Sequence, residues 1–244
     1  MNWQAFDAIY LINLPQRVDR KRELERELRH VGLQADDPKL VWIRAVRPSE
    51  AGEFPSIGAR GCFMSHLSCL NSALERGYER ILILEDDAYF PRFRSKDLES
   101  VLEKLNELNW SIWYGYARHE SNARSNNSEV IPIDHTAGVQ TSHCIALQGN
   151  AIRSVRDFFE LILTRPGGHP EAGPMHVDGA YSTWRSLNPT AVTLVTLPPV
   201  CSQRSSQSDI AASHWYDRAP LVRGAIAAFR RVLHWRKEQQ RLRQ

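Results

Sequence analysis

No apolar run in the sequence comes near the ~18 residues that a bilayer-spanning helix needs. The early stretch AIYLINL contains Asn13, has no basic region before it and no small-residue cleavage site after it, so it reads as a first strand and not as a signal peptide. The four cysteines, Cys62, Cys69, Cys144 and Cys201, form no C-x-x-C pair. Without an export signal they are expected to be reduced thiols of a cytoplasmic protein. Neither G-x-x-x-x-G-K-[ST] nor G-x-G-x-x-G occurs, so no glycine loop is at hand to cradle phosphates. Any nucleotide phosphate bound here needs a metal to carry its charge. Internal repeats and domain-splitting linkers are absent as well.

What is present is an ordinary globular composition: 244 residues, 42% apolar and 24% charged. The net charge of +3 is unevenly spread. From Asp217 to Gln244 there are eight Lys or Arg against two acids, so the body before that point is mildly acidic and the tail basic. An acidic body argues against nucleic acid as a partner.

Hydrophobic spacing divides the chain into alternating strands and helices. AIYLINL, LVWIRAV (40–46), ILIL (81–84), SIWYGY (111–116), VQTSHCIALQ and AVTLVTL read as strands. Asp19–Val31, the stretch GCFMSHLSCLNSALERG, Leu98–Leu108, Ala151–Leu163 and Asp178–Leu187 read as helices. Residues 118–135 are polar and read as a long surface loop. This order predicts an α/β domain with a mostly parallel sheet and helices on both faces.

In ERILILEDDAYF a buried strand runs straight into Glu85, Asp86 and Asp87, a costly place for three acids. Ligands of such sheets bind outside the carboxyl ends of the strands. Extended backbone there points Glu85 and Asp87 one way and Asp86 the other, with the first two about 7 Å apart along the chain. Two carboxylates so placed can close on one hard cation, which completes its shell with substrate phosphates. The plainer alternative is a strand end reaching water, with acids that are solvated or cap the next helix.

Four blocks resemble glycosyltransferase family 25, the lipooligosaccharide and collagen galactosyltransferase family. YLINLPQRVDRK is similar to its opening N-L-x-R-x-x-R pattern, and GARGCFMSH, followed by ILILEDDAYF, to its G-E-I-G-C-x-x-S-H block. Ser142, His143 and Cys144 with Gly149 and Ala151 resemble a T-H-A-Y strand leading to G-A; HVDGAY and QRSSQSDI resemble late P-V-D and Q-x-x-x-S-D-I elements. Ala59 and Arg60 depart from the usual Glu and Ile, and Cys144 and Ile145 from the small-aromatic pair.

The resemblance implies a single GT-A-type, Rossmann-like α/β domain, expected over 1–216, and the stretch 217–244 reads from its own spacing as a basic amphipathic helix. The resemblance also implies a UDP-sugar donor (commonly UDP-galactose), Mn²⁺ or Mg²⁺, a glycan or lipid-linked glycan acceptor, and inversion at the anomeric carbon. Asp87 is then the expected metal ligand, with Glu85, Asp86 and Asp209 assisting. Asp178 is the expected base for the acceptor hydroxyl, or else a helix cap. Asn13, Arg17, Arg20, Ser65, His66 and Gln203 are candidate donor contacts. Each has a structural alternative as turn cap, solvated charge or buried histidine. Cys62 and Cys69, seven apart on one helix, read as core residues.

In PLVRGAIAAFRRVLHWRKEQQRLRQ, Val222, Ile226, Phe229 and Leu233 share one helical face, and Arg223, Arg230, Lys237 and Arg241 line another. That pattern suits a helix lying in an anionic membrane surface, on the cytoplasmic face, or one packing on the body.

Overall fold

The computed structural model describes residues 3–116 and 127–204. The predicted basic helix, and Asp209, lie outside the described residues. The chain divides into two units, Met1–Ser202 and Gln203–Gln244.

The first unit holds a seven-stranded sheet. Its strands are β1 (Ala8–Asn13), β2 (Leu40–Arg44), β3 (Arg80–Glu85), β5 (Ile112–Tyr114), β6 (Glu129–Ile133), β7 (Cys144–Gln148) and β8 (Thr193–Leu197); a two-residue β4 (Ala88–Tyr89) stands apart. The order across the sheet is β2-β1-β3-β7-β5-β8-β6. β1 pairs in parallel with both β2 and β3, and β5 with β8, whereas β7 and β6 run against their neighbours. The expected mixed α/β architecture with a mostly parallel sheet is what the structure has.

Helices cover both faces, because the interior positions of the central strands are apolar on both sides and expose two surfaces to be covered. Alternate residues take alternate faces. Ala8, Tyr10, Ile81 and Ile83 pack with α2 (Ile57–Glu75), α4 (Asn150–Leu163) and α5 (Val177–Leu187). Ile9, Leu11, Leu82 and Leu84 pack with α1 (Val18–His30) and α3 (Ser95–Glu107).

Two sequence expectations need correction. The stretch 118–135, expected to be a polar surface loop, contains β6, whose EVIPI mixes half-buried and exposed positions with none fully buried. This is the signature of an edge strand, and Pro132 within it fits an edge. α2 begins at Ile57, four residues before the apolar pattern suggested, because the Ser56 hydroxyl accepts from the Ala59 N–H and caps it.

Candidate active site at the carboxyl edge of the sheet

Topology brings distant segments to one edge. β3 ends there at Glu85, and antiparallel β7 begins there, so the Glu85 N–H donates to the His143 carbonyl at 3.0 Å. Glu85 follows Ile83 on the α2 face, and α2 presents His66 and Cys62 to it. Three side chains of the described residues meet the carboxylate at Oε1: His66 Nε2 at 3.3 Å, Cys62 Sγ at 3.7 Å and the Ser142 hydroxyl at 3.3 Å. Since a carboxylate only accepts, the hydrogen between His66 and Glu85 sits on Nε2. The His66 ring is fully buried, and its Nδ1 lies 3.2 Å from the Tyr181 hydroxyl on α5.

Burial alone raises the Glu85 carboxyl. The His66 hydrogen bond and charge, the His143 charge and the Ser142 hydroxyl outweigh it and hold Glu85 below its ordinary value. Cys62 goes the other way. Burial pushes its thiol well up, and the negative charges of Glu85, Asp87 and Asp178 push it further. The charges of three carboxylates, from β3, the turn after it and α5, thus act on the Cys62 thiol.

Asp178 is the second residue of α5, inside the helix and not its cap; the cap position is His176. Its Oδ1 accepts from the Gly179 N–H at 2.8 Å and its Oδ2 from the Thr141 N–H at 3.2 Å. Thr141 stands at φ 77°, a left-handed conformation that a β-branched residue rarely adopts. The strained turn gives its N–H to Asp178 and places Ser142 against Glu85, so one costly residue serves two carboxylates.

Asp86 faces away from this group, as strand alternation required. It takes a hydrogen bond from Arg20 at 2.8 Å on Oδ1 and from Asn13 at 2.9 Å on Oδ2. Burial raises its carboxyl above the ordinary value despite both partners. Asn13 and Arg20, expected toward a nucleotide, are thus engaged with the middle acid of the triplet. Arg17 forms a two-point pair with Asp19 at 3.0 and 2.9 Å. Ser65 is buried, donating to the Gly61 carbonyl at 2.6 Å and accepting from the Val46 N–H at 2.9 Å. It ties α2 to the segment after β2. Gln203 belongs to the second unit.

The structure therefore brings Glu85, His66 and Asp178 to one edge, with the charge of Asp87 acting on the same Cys62, and separates Asp86 with Asn13 and Arg20. It adds Cys62, Ser142 and Tyr181. Cys69 is the core residue expected, but Cys62 is half-buried at the site. Its spacing of four from His66 on one helix was the signal available in the sequence. For a cation the donor set divides: Glu85 and Asp87 offer hard oxygens, whereas Asp86 is already committed to Arg20.

The family model for "Glycosyltransferase family 25 (LPS biosynthesis protein)" matches residues 6–136. The chain belongs to glycosyltransferase family 25. Among curated relatives, procollagen galactosyltransferase 1 of Danio rerio is 26% identical over 131 residues, covering 45% of this chain and 21% of that protein. The inactive glycosyltransferase 25 family member 3 of Homo sapiens is 29% identical over 129 residues, covering 45% of this chain and 22% of that one. The chain thus spans about a fifth of the length of the curated relatives it matches. Among solved structures, a glycosyltransferase involved in glycosylation of the major capsid of PBCV-1 aligns at a TM-score of 0.39 and 12% identity, over 82% of this chain and 94% of that one.

Proposed function

We propose that the chain transfers a hexose, galactose by analogy with the procollagen relatives, from a UDP-sugar to a glycan acceptor with inversion at the anomeric carbon. The observation that carries this reading is the pairing of two carboxylates at the carboxyl edge of the sheet through adjacent residues, Thr141 donating to Asp178 and Ser142 to Glu85, with the charge of Asp87 acting on the same Cys62 thiol as theirs. Asp87 and Glu85 would hold a divalent cation (Mn²⁺ or Mg²⁺), which would supply Lewis-acid neutralisation of the departing diphosphate.

The chain's own residues do the rest. Asp178 accepts the proton of the acceptor hydroxyl as that oxygen attacks the anomeric carbon opposite the diphosphate. The Gly179 and Thr141 N–H groups fix the carboxylate in place. Ser142 and His66 hold Glu85 ionised and oriented, and Tyr181 orients His66. The Arg20–Asp86–Asn13 cluster stiffens the turn that carries Asp87.

The acceptor class is a surface glycan or lipid-linked glycan, in keeping with the lipopolysaccharide description of the family. The basic tail then holds the enzyme on an anionic cytoplasmic membrane face. A second reading, a sugar-nucleotide-binding protein without turnover, draws on the relative described as inactive.

One assay separates the two. Purified protein is offered a panel of UDP-sugars with Mn²⁺ or with chelator, and UDP release and donor binding are both measured. Metal-dependent release from one UDP-sugar supports transfer. Binding without release supports the second reading, and neither binding nor release from any of them overturns both.

A further inference from the structure

We infer that Cys62, His66 and Glu85 form a binding site for a thiophilic divalent cation of the Zn²⁺ class, distinct in chemistry from the hard cation assigned to Asp87 and Glu85, with which it shares the Glu85 carboxylate. The inference goes beyond the proposed transfer reaction and does not depend on it. Cys62 Sγ, His66 and the Glu85 carboxylate lie within 4.8 Å of one another.

The two separations to the Glu85 oxygen suit tetrahedral coordination. Zinc bonds of about 2.0 Å to nitrogen or oxygen and about 2.3 Å to sulfur place adjacent ligand atoms roughly 3.3–3.7 Å apart. His66 Nε2 and Glu85 Oε1 are 3.3 Å apart, and Cys62 Sγ and Glu85 Oε1 3.7 Å. Cys62 and His66 are four residues apart on α2, the spacing by which a helix offers two ligands to one ion. Sulfur with imidazole selects against Mg²⁺ and Mn²⁺.

Charge and hydrogen bonding agree. A thiolate and a carboxylate balance a 2+ ion, so a half-buried site carries no net charge. On binding, the thiol proton leaves to solvent, and the imidazole hydrogen moves from Nε2 to Nδ1. There it is donated to the Tyr181 oxygen 3.2 Å away, the outer contact that orients a metal-ligating histidine. Three protein ligands leave the fourth position for water or substrate oxygen.

Cobalt(II) is the probe, because thiolate coordination gives it an intense near-ultraviolet charge-transfer absorption. Titration of the full-length protein is expected to give that band at one equivalent, with Zn²⁺ displacing it. Cys62→Ser should abolish the band, Glu85→Gln should weaken binding while keeping the thiol, and Tyr181→Phe should lower affinity about tenfold. Asp87→Asn should keep the band. No band in the wild type, or a band of equal strength in Cys62→Ser, overturns the site. Loss of the band in Asp87→Asn with unchanged circular dichroism also overturns it, by merging it with the hard-cation site. UDP release is not read, so failure of the transferase proposal leaves this outcome intact.

Discussion

At the scale of single residues, the three acids of the triplet separate by environment. Asp87→Asn is expected to remove most metal-dependent UDP release while leaving the melting temperature nearly unchanged. Activity within a few-fold of wild type at saturating Mn²⁺ speaks against it as a ligand. Asp86 behaves oppositely. Its pair with Arg20 is largely buried on both sides, so Arg20→Ala strands a carboxylate and costs about 3–5 kcal/mol of stability by urea denaturation. Asp178→Asn should lower turnover roughly 10²–10⁴-fold with donor affinity kept; loss of donor affinity instead makes it a binding residue. For Glu85 the sign is set by its lowered carboxyl. Its ionised form favours the folded state, so its contribution is present above the ordinary value of 4.5 and is lost as pH falls through the lower folded value. Glu85→Gln should flatten the acid limb of a stability–pH curve relative to wild type; an unchanged limb refutes the assignment.

At the scale of elements, α2 carries Cys62 and His66, and its seating against the chain after β2 places them. A Cβ built on Gly61 would lie 2.5 Å from the Val46 carbonyl oxygen, a backbone atom with little room to move. Gly61→Ala is therefore expected to cost about 1–3 kcal/mol. A Cβ on Gly179, one residue past Asp178 on α5, would meet the flexible Met175 side chain, Sδ at 3.4 Å and Cγ at 3.8 Å. There alanine should be neutral or stabilise by up to about 1 kcal/mol through helix propensity. Thermal melts of the two variants check the contrast, and equal effects would show that the backbone contact does not seat α2. The strands and helices were legible in the sequence because the apolar spacing is strong. The division of the triplet was legible too, since it follows from strand alternation. β6 was not, because an edge strand of half-exposed residues looks like a polar loop. The place of Cys62 was legible only through its spacing of four from His66, because a cysteine on an apolar helix is the same letter whether it faces core or carboxylate. Thr141 was beyond reach, since its left-handed conformation is imposed by tertiary contacts on both sides.

At the scale of the molecule, acidic body and basic tail predict different partners. Full-length protein should sediment with vesicles rich in anionic lipid and release at high salt, while a chain ending at Asp217 should not. Each basic residue near such a surface contributes about 1 kcal/mol, so the eight in the tail suffice for reversible binding. Equal sedimentation of both forms, or none, refutes the tail as an anchor. The register of β3 against β7, with Leu84 opposite Cys144, has a further consequence for comparing relatives. Counting by twos from Ile81 decides which acid of a run meets α2 and which meets α1. Insertion of a single residue into this strand would exchange Glu85 for its neighbour and hand a site acid to Arg20, with the letters EDD untouched. Two chains can share the motif and differ in chemistry, and the parity of the count tells them apart.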